Sequence, residues 1–250
     1  MSSLEVNRWL VDTFICHRGY HSGDSACPEN SMKAFERALR PGFAIELDIR
    51  HLADGEIAVF HDRNIQRMTG VDRLLESCDA GQIRNMRLLG TDQNIPLLDH
   101  VLDLVRGDAP LLIELKNMGK AGPLEHALLQ KLRNYSGPYA VQSFNPKTLL
   151  WFRANAPHIT RGQISGSLEN MGVYGYRKFL IKNLATNPFT RPHFVSYEAV
   201  CLPNRKTSRL MNKSVPVLGW TVTSLAQYQQ IKRYCDNIIF EGFDPFMAFF

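Results

Sequence analysis

The chain has 250 residues, and 29 Lys and Arg against 24 Asp and Glu give it a formal net charge of +5. Hydrophobic residues make up 44% and charged residues 21%, a globular composition that excludes disordered, collagen-like and low-complexity classes. The length suits a single α/β-barrel domain over residues 1–250. The basic excess favours an anionic partner but does not identify its class.

Hydropathy and cysteine usage bear on location. The longest apolar stretches are far below the ~18 residues that a membrane span needs. The apolar run at residues 9–11 is cut by Asp12, unlike the core of a signal peptide. The five cysteines are scattered without a CxxC pair, so we expect reduced thiols. These features predict a cytoplasmic protein without stable membrane insertion.

Short β-rich runs alternate with helical patterns along the chain. The eight runs are 13–17, 43–49, 111–115, 139–143, 160–164, 193–197, 217–221 and 237–241. The segments between them have apolar residues at helical spacing. Suitable N-caps precede several of these helices, namely Asn30 or Ser31, Asn145 and Ser224. Eight strand–helix units predict a (β/α)8 TIM barrel. The competing doubly wound sheet is less favoured, because the sequence has no glycine-rich dinucleotide loop.

A ninth run, 57–61, follows the second strand too closely for a parallel crossover. Asp54-Gly55 between the two runs is a strong signal for a two-residue hairpin. This turn predicts a β-hairpin extension after the second strand, in which residue 48 pairs with residue 61. His61 would then lie directly opposite Asp48 and on the same face.

Three carboxylates are predicted at the carboxyl ends of barrel strands, where (β/α)8 enzymes do their chemistry. Glu46 and Asp48 are two residues apart on one strand and so share a face, and Glu114 lies on the next barrel strand. Like charges confined together need neutralisation. Carboxylate oxygens suit a divalent metal, Mg²⁺ or Ca²⁺. The alternative is that these carboxylates only form ion pairs with Arg18 and Lys116.

Two histidines are expected beside the same cavity. His17 ends the first run and His61 ends the hairpin. Two imidazoles can divide the work of a general acid and a general base, although a single strand-end histidine is more often structural. Arg18 and Lys116 would add fixed positive charge for a phosphoryl oxygen.

Together these residues resemble the glycerophosphodiester phosphodiesterase family. The resemblance rests on His17-Arg18-Gly19, Pro28-Glu29-Asn30-Ser31, Glu46-Leu47-Asp48, Asp54-Gly55, Phe60-His61-Asp62, Ile95-Pro96-Leu97, Glu114-Leu115-Lys116 and Trp220-Thr221-Val222. The order and spacing agree from about residue 14 to residue 116, and more loosely to residue 245.

The resemblance implies a TIM barrel that hydrolyses glycerophosphodiesters to glycerol 3-phosphate and an alcohol. It implies Glu46, Asp48 and Glu114 as ligands of a divalent metal. It also implies His17 and His61 as the acid–base pair, with Arg18 and Lys116 near the phosphate. Glu29 and Asn30 would support the first loop.

Three parts of the chain depart from the family pattern. The loop 20–27 is longer than usual and adds His21 and Asp24 near the cavity rim. It could narrow the substrate range or cover the pocket, but we favour the interpretation as a harmless surface loop. The last strand carries Glu241 where many members have Thr-Asp, so a role for that position is doubtful. Residues 145–215 match poorly and give no prediction of the alcohol.

Three further features have two interpretations each. Trp220 could stack on the substrate's glycerol or belong to the core. The aromatic and Met residues of 171–179 are interpreted as helix packing, or as the rim of an acyl pocket: Met171, Tyr174, Tyr176 and Phe179. Basic residues on one short helix are interpreted as a solvated face rather than a nucleic-acid site: Arg205, Lys206, Arg209 and Lys213.

The sequence therefore predicts a metal-dependent glycerophosphodiesterase acting on a small-molecule substrate, with no nucleic-acid partner. One alternative is a phospholipase D or lysophospholipase D, which should expose an apolar patch at the barrel mouth. Another is a non-catalytic phosphoglycerol-binding barrel, which would not need the complete set of histidines and carboxylates.

Overall fold

The protein was analysed as a computed structural model that describes residues 7–117, 119–169 and 175–249, apart from the side chain of residue 249. The strands are β1 (Ile15–Cys16), β2 (Ala44–His51), β3 (Ile57–Val59), β4 (Leu111–Leu115), β5 (Tyr139–Ser143), β6 (Arg161–Ser165), β7 (Phe194–Glu198), β8 (Val217–Val222) and β9 (Asn237–Phe240). Each of the nine predicted runs corresponds to one of these strands, with ends that differ by at most two residues.

Helices connect the strands. The α-helices are α1 (Trp9–Asp12), α2 (Met32–Leu39), α3 (Gln66–Thr69), α4 (Ala80–Ile83), α5 (Leu98–Val105), α6 (Pro123–Leu132), α7 (Pro146–Asn155), α8 (Gly175–Lys182), α9 (Asn187–Thr190), α10 (Arg205–Met211) and α11 (Leu225–Ile231). Short 3-10 helices cover Leu75–Ser77, Leu88–Gly90, Ala199–Cys201 and Pro245–Phe249. The predicted caps Ser31, Asn145 and Ser224 each accept a backbone N–H at the start of α2, α7 and α11.

Eight of the strands form a closed parallel barrel. The sheet order is β1-β9-β8-β7-β6-β5-β4-β2-β3, and a further pairing of β1 with β2 closes the circle. β3 lies outside the circle and pairs with β2 in the antiparallel direction. The (β/α)8 barrel with a hairpin extension after its second strand is confirmed.

Alternation along β2 explains how the barrel presents its polar groups. Ile45, Leu47 and Ile49 pack in the large cluster between the barrel and its helices. Ala44 and residues 46 and 48 therefore share the opposite, inner face. On that face an apolar layer fills the lower barrel with Ile15, Ala44, Leu112, Ala140, Phe194, Leu218 and Ile239. The carboxylates lie above this layer, at the carboxyl ends of the strands.

The predicted register of the hairpin is wrong by one residue. The observed pairs join Ile49 to Val59 and His51 to Ile57, which puts residue 60, rather than His61, opposite Asp48. The turn contains three residues, because Leu52 N–H donates to Glu56 O at 2.8 Å and Gly55 takes a φ of 90°. Such three-residue turns with a left-handed glycine are the next most common hairpin connection after two-residue turns.

The interpretation of residues 171–179 as helix packing is wrong for the two aromatic residues that the structure describes. Tyr176 and Phe179 on α8 are 71% and 63% exposed, because this helix buries only Ile181 against the barrel. Met171 and Tyr174 lie outside the described residues. Within the described part of the chain, no helix has both the length and the apolar character needed to cross a membrane.

Candidate active site

The three predicted carboxylates converge at the barrel mouth. Oxygens of Glu46, Asp48 and Glu114 all lie within 4.8 Å of one another, and the three residues are buried. The register of the sheet produces this arrangement, since Asp48 pairs directly with Glu114 across β2 and β4. The convergence that alternation predicted is therefore present in the fold.

The loop after β1 supports two of these carboxylates. Gly19 has a φ of 80°, and a Cβ there would lie 2.9 Å from the Ala34 Cβ, so only glycine fits. Gly19 N–H binds Glu46 O at 3.2 Å, and the amide of Arg18 donates to Glu46 Oε2 at 3.0 Å. Asn30 Nδ2 donates to Asp48 Oδ2 at 3.0 Å. The first two sequence motifs thus fix the acidic strand from one side.

One oxygen of each carboxylate lacks a hydrogen bond from any described residue: Glu46 Oε1, Asp48 Oδ1 and Glu114 Oε1. Burial first, and then the charges of Asp48 and Glu114, raise the pKa of Glu46 well above its usual range. Burial also opposes ionisation of Asp48, but neighbouring cations, Lys116 foremost, hold its pKa well below the usual range. Glu46 Oε1 is also without an ion pair among the described residues, and a buried carboxylate oxygen left in this state fits a hard divalent cation.

Arg18 and Lys116 lie against this cluster, as predicted. Lys116 Nζ is 2.7 Å from Glu114 Oε1 and 3.1 Å from Asp48 Oδ1, and Arg18 Nε is 3.2 Å from Asp48 Oδ2. The ion pairs of the alternative interpretation are therefore present. They do not exhaust the site, because Glu46 Oε1 has neither an ion pair nor a hydrogen bond among the described contacts.

His17 lies at the barrel mouth, where the Asp48 carboxylate acts on its charge. Its Nδ1 is 2.6 Å from Glu241 Oε2. Burial is the largest influence on the imidazole and Arg18 the next, and together they lower the pKa of His17 to about 4 against the opposing pull of Glu241. His17 is therefore neutral at pH 7 and able to accept a proton.

His61 lies near the same carboxylate, even though the hairpin register differs from the prediction. The chain leaves the ladder after Val59, and the imidazole interacts electrostatically with Asp48. Its Nδ1 is 2.6 Å from Asp62 Oδ1, and Arg67 Nε in turn binds Asp62 Oδ2 at 2.5 Å. The structure thus brings both histidines to the acidic cluster, each with a carboxylate at Nδ1.

Glu241 was missed by sequence reasoning, and His21 was placed near the cavity rim without a role. His21, from the long loop that was interpreted as a surface loop, is nearly buried, and its Nε2 lies 3.5 Å from Glu241 Oε2. Asp24 in the same loop is exposed, as that interpretation expects. Glu241 follows a strand that pairs with β1, and this adjacency in a closed barrel is the signal that identifies it.

Trp220 lies near the barrel mouth, but its indole N–H is used in a hydrogen bond to a backbone carbonyl. Its Nε1 donates to Ser165 O at 3.2 Å, and its ring meets Phe144 edge-on at 5.5 Å. Phe144 in turn lies under Lys116, whose Nζ is 6.0 Å from the ring centroid. A cleft of about 630 Å³, lined partly by Lys116, Arg50 and Asn117, opens beside the acidic cluster.

A closed parallel barrel with ionisable side chains gathered at the carboxyl ends of its strands defines a (β/α)8-barrel protein of the enzyme type. Its family follows from comparison with known proteins. The chain belongs to the glycerophosphoryl diester phosphodiesterase family, whose family model matches residues 17–242.

Individual curated relatives are identical to this chain at about a third of the aligned positions, and only over part of its length. A glycerophosphodiester phosphodiesterase of Bacillus altitudinis is 34% identical over 155 residues, which are 57% of this chain and 62% of that protein. Human lysophospholipase D GDPD1 is 32% identical over 120 residues, 43% of this chain and 37% of that protein. This chain covers 62%, 66% and 63% of the length of three curated bacterial relatives, less than two thirds in each case.

Solved structures share the architecture. A phosphodiesterase of Oleispira antarctica, determined in complex with the product sn-glycerol-3-phosphate, superposes with a TM-score of 0.81 at 20% identity, covering 97% of each chain. A glycerophosphodiester phosphodiesterase of Thermotoga maritima gives a TM-score of 0.71 at 22% identity, covering 91% of this chain and 94% of that chain. At these identities the likeness shows the fold.

Proposed function

We propose that the protein hydrolyses glycerophosphodiesters to glycerol 3-phosphate and an alcohol. The observation that carries the proposal is the buried cluster of Glu46, Asp48 and Glu114, in which Glu46 Oε1 has neither a hydrogen bond nor an ion pair from the described residues, together with His17 and His61 beside it. A phosphoglycerol-binding barrel without catalysis would need neither the two histidines nor their carboxylate partners.

A divalent metal, Mg²⁺ or Ca²⁺, would be held by Glu46, Asp48 and Glu114. Three carboxylates outnumber the two cations Arg18 and Lys116, and all-oxygen ligands suit these ions. When bound, the ion would supply Lewis-acid polarisation of the phosphate. Lys116 and Arg18 supply fixed positive charge toward phosphoryl oxygens from the same rim.

The histidines move the protons. His17 is buried and neutral, so it takes the proton of the attacking hydroxyl at Nε2 while Nδ1 stays bonded to Glu241. His61, half-exposed beside Asp62, delivers a proton to the leaving alcohol. The attacking group is water or the substrate's own adjacent glycerol hydroxyl. The second route passes through a cyclic phosphate, which ³¹P NMR under single-turnover conditions would detect.

The expected result of a substrate panel follows from this site. Glycerophosphocholine, glycerophosphoethanolamine and glycerophosphoglycerol should release glycerol 3-phosphate, because the groups described contact the phosphoglycerol that all three share. An enzymatic assay for glycerol 3-phosphate measures the release, and lysozyme, a basic protein without this site, is the matched blank. Release from none of the three substrates would refute the proposed activity.

A second candidate, lysophospholipase D-type activity, is favoured by one observation. An apolar groove of about 240 Å³ lies between α7 and α8 and shares its Asn145 and Gly119 edge with the loop after β4. The apolar residues that line it are Leu150, Tyr176, Leu180 and Ile181. We call this cavity the apolar groove. Leu150 is 41% exposed and Tyr176 71%, so the patch that a lipid substrate would need is present.

Leu150→Asp is expected to separate the two activities. A charge in the apolar groove should lower kcat/KM for lysophosphatidylcholine about tenfold or more, since burying an acyl chain contributes about 0.8 kcal/mol per CH₂. Hydrolysis of glycerophosphocholine, which has no acyl chain, should change less than about twofold. Phe189→Ala, an exposed aromatic residue on α9, is the control. Equal losses on both substrates would remove the lipid-binding interpretation.

We also propose a cytoplasmic location. All five cysteines are free thiols, and four of them are buried, which suits a reducing compartment. The basic residues of α10 are retained as a solvated face rather than a nucleic-acid site, because Arg205 and Arg209 are exposed while Thr207 between them is the buried position of the helix.

A further inference from the structure

The seam where the barrel closes brings one further carboxylate to His17. β1 pairs with β9 so that Cys16 lies beside Phe240, and His17 N–H continues the ladder by donating to Phe240 O at 2.8 Å. The next residue on each strand is then His17 on one side and Glu241 on the other. Backbone pairing thus sets the 2.6 Å contact between His17 Nδ1 and Glu241 Oε2.

Both partners are withdrawn from solvent. The side chains of His17 and Glu241 are 14% and 31% exposed. Burial alone would raise the pKa of Glu241, but the hydrogen bond with His17 and then the neighbouring His21 imidazole hold it below its usual range. Glu241 is therefore a carboxylate at neutral pH, and the short contact is a proton donated by His17 Nδ1 to an anionic oxygen.

The long loop after β1 covers the other side of Glu241. His21 is 8% exposed and its Nε2 lies 3.5 Å from the same Oε2. Neither of its ring nitrogens has a hydrogen bond of ordinary geometry to the residues described. Asp24 holds the loop in shape by accepting from Ser22 Oγ at 2.6 Å and from Ala26 N at 2.9 Å. The loop thus supplies an imidazole that covers one side of Glu241, whose side chain remains 31% exposed.

We propose that Glu241 is a positioning residue that holds His17 in the tautomer protonated at Nδ1, and that His21 holds Glu241 in place. The inference rests on the proposed function, in which His17 accepts a proton. With Nδ1–H donated to Glu241, the lone pair of Nε2 is the acceptor. Once Nε2 has taken the proton of the attacking hydroxyl, the imidazolium lies against an anion, so its charge is stabilised.

His17, His21 and Glu241 could also be considered as ligands of a second metal ion, since their ligand atoms lie within 4.8 Å of one another. The 2.6 Å separation of His17 Nδ1 and Glu241 Oε2 argues against this. An ion bound to both at ~2.0–2.2 Å would have to push them apart, whereas a shared proton needs no movement.

Glu241→Ala and Glu241→Gln test the proposal in the full-length, metal-loaded protein with glycerophosphocholine as substrate. We expect Glu241→Ala to lower kcat about 100-fold, as misplacement of a catalytic group does, with KM changed less than about threefold. Glu241→Asp should keep activity within about tenfold. Formate should partly restore Glu241→Ala, whereas chloride at equal ionic strength should not. His21→Ala should cost only a few-fold in kcat.

Imidazole ¹⁵N NMR of the resting protein reads the tautomer directly. The wild type should carry the His17 proton at Nδ1, and Glu241→Ala should shift it toward Nε2. Asp244→Asn is the control, because the Asp244 carboxylate accepts a hydrogen bond from the Phe246 amide at 2.9 Å rather than from His17. This variant should change neither the tautomer of His17 nor kcat. A wild-type proton at Nε2, or Glu241→Ala turning over within threefold of wild type, would overturn the proposal.

The two readouts separate this proposal from the proposed function. A wild type that hydrolyses no glycerophosphodiester would refute the activity, while the tautomer measurement would still decide the role of Glu241. Glu241→Gln preserves the shape of the side chain, so it supplies the kinetic test if the alanine variant fails to fold. The expected loss with glutamine is about tenfold, since only the charge is removed.

Discussion

Replacing His17 or His61 with alanine is expected to lower kcat for glycerophosphocholine by about 10²–10⁴-fold, the usual contribution of general acid–base catalysis. Both imidazoles act on the Asp48 carboxylate electrostatically, and each has a carboxylate at Nδ1. Steady-state kinetics with the metal saturating measures the loss. KM should change much less, because each proton moves only in the transition state.

His126→Ala is the matched control for these variants. His126 is exposed on α6, where its imidazole hydrogen-bonds the Gln130 side chain at 3.4 Å, so its removal should leave kcat within about twofold. A loss smaller than about tenfold from either His17→Ala or His61→Ala would contradict their assignment as the acid–base pair.

Glu46→Gln is expected to abolish the response to metal while making the metal-free protein more stable. Glu46 Oε1 has no hydrogen bond from the residues described, so the amide keeps the shape of the site but removes a buried like charge. Loss of a metal ligand should lower kcat/KM about 100-fold or more, since a bound metal contributes several kcal/mol of charge stabilisation. Addition of Mg²⁺ or Ca²⁺ should raise the unfolding midpoint of the wild type only.

The difference in stability between metal-free Glu46→Gln and metal-free wild type should depend on pH in a defined direction. The pKa of Glu46 is raised in the fold above its unfolded value of 4.5, so the metal-free wild type loses stability as pH rises above about 4.5. Glu46→Gln lacks this loss, and its advantage in urea unfolding with EDTA should grow with pH and vanish below about pH 4.5. Glu36→Gln, at an exposed position of α2, is the control. A variant less stable than wild type at pH 7 would favour a purely structural ion-pair cluster.

Period-two alternation was sufficient to predict the acidic site. Because residues 46 and 48 must share a face, and parallel strands meet at one rim, the convergence with Glu114 followed without knowledge of helix packing. The barrel followed similarly from eight strand runs of suitable length and spacing. Both predictions depend on strand geometry, which local sequence largely determines.

Features that depend on turns and closure were not predictable in the same way. Asp54-Gly55 is compatible with two-residue and three-residue turns, and the choice of a three-residue turn moved the pairing of Asp48 by one position. Glu241 and His17 are 224 residues apart in sequence, so only the closing pair of strands brings them together. The exposure of Tyr176 depends on how little of α8 the barrel covers. Hydrophobic periodicity along the sequence does not determine that coverage.

A ³¹P NMR time course of glycerophosphocholine with the metal-loaded protein tests the central claim most directly. We predict that the diester resonance gives way to glycerol 3-phosphate, that EDTA stops the conversion and that added Mg²⁺ or Ca²⁺ restores it. Conversion to phosphocholine and glycerol, or turnover that continues unchanged in EDTA, would contradict it.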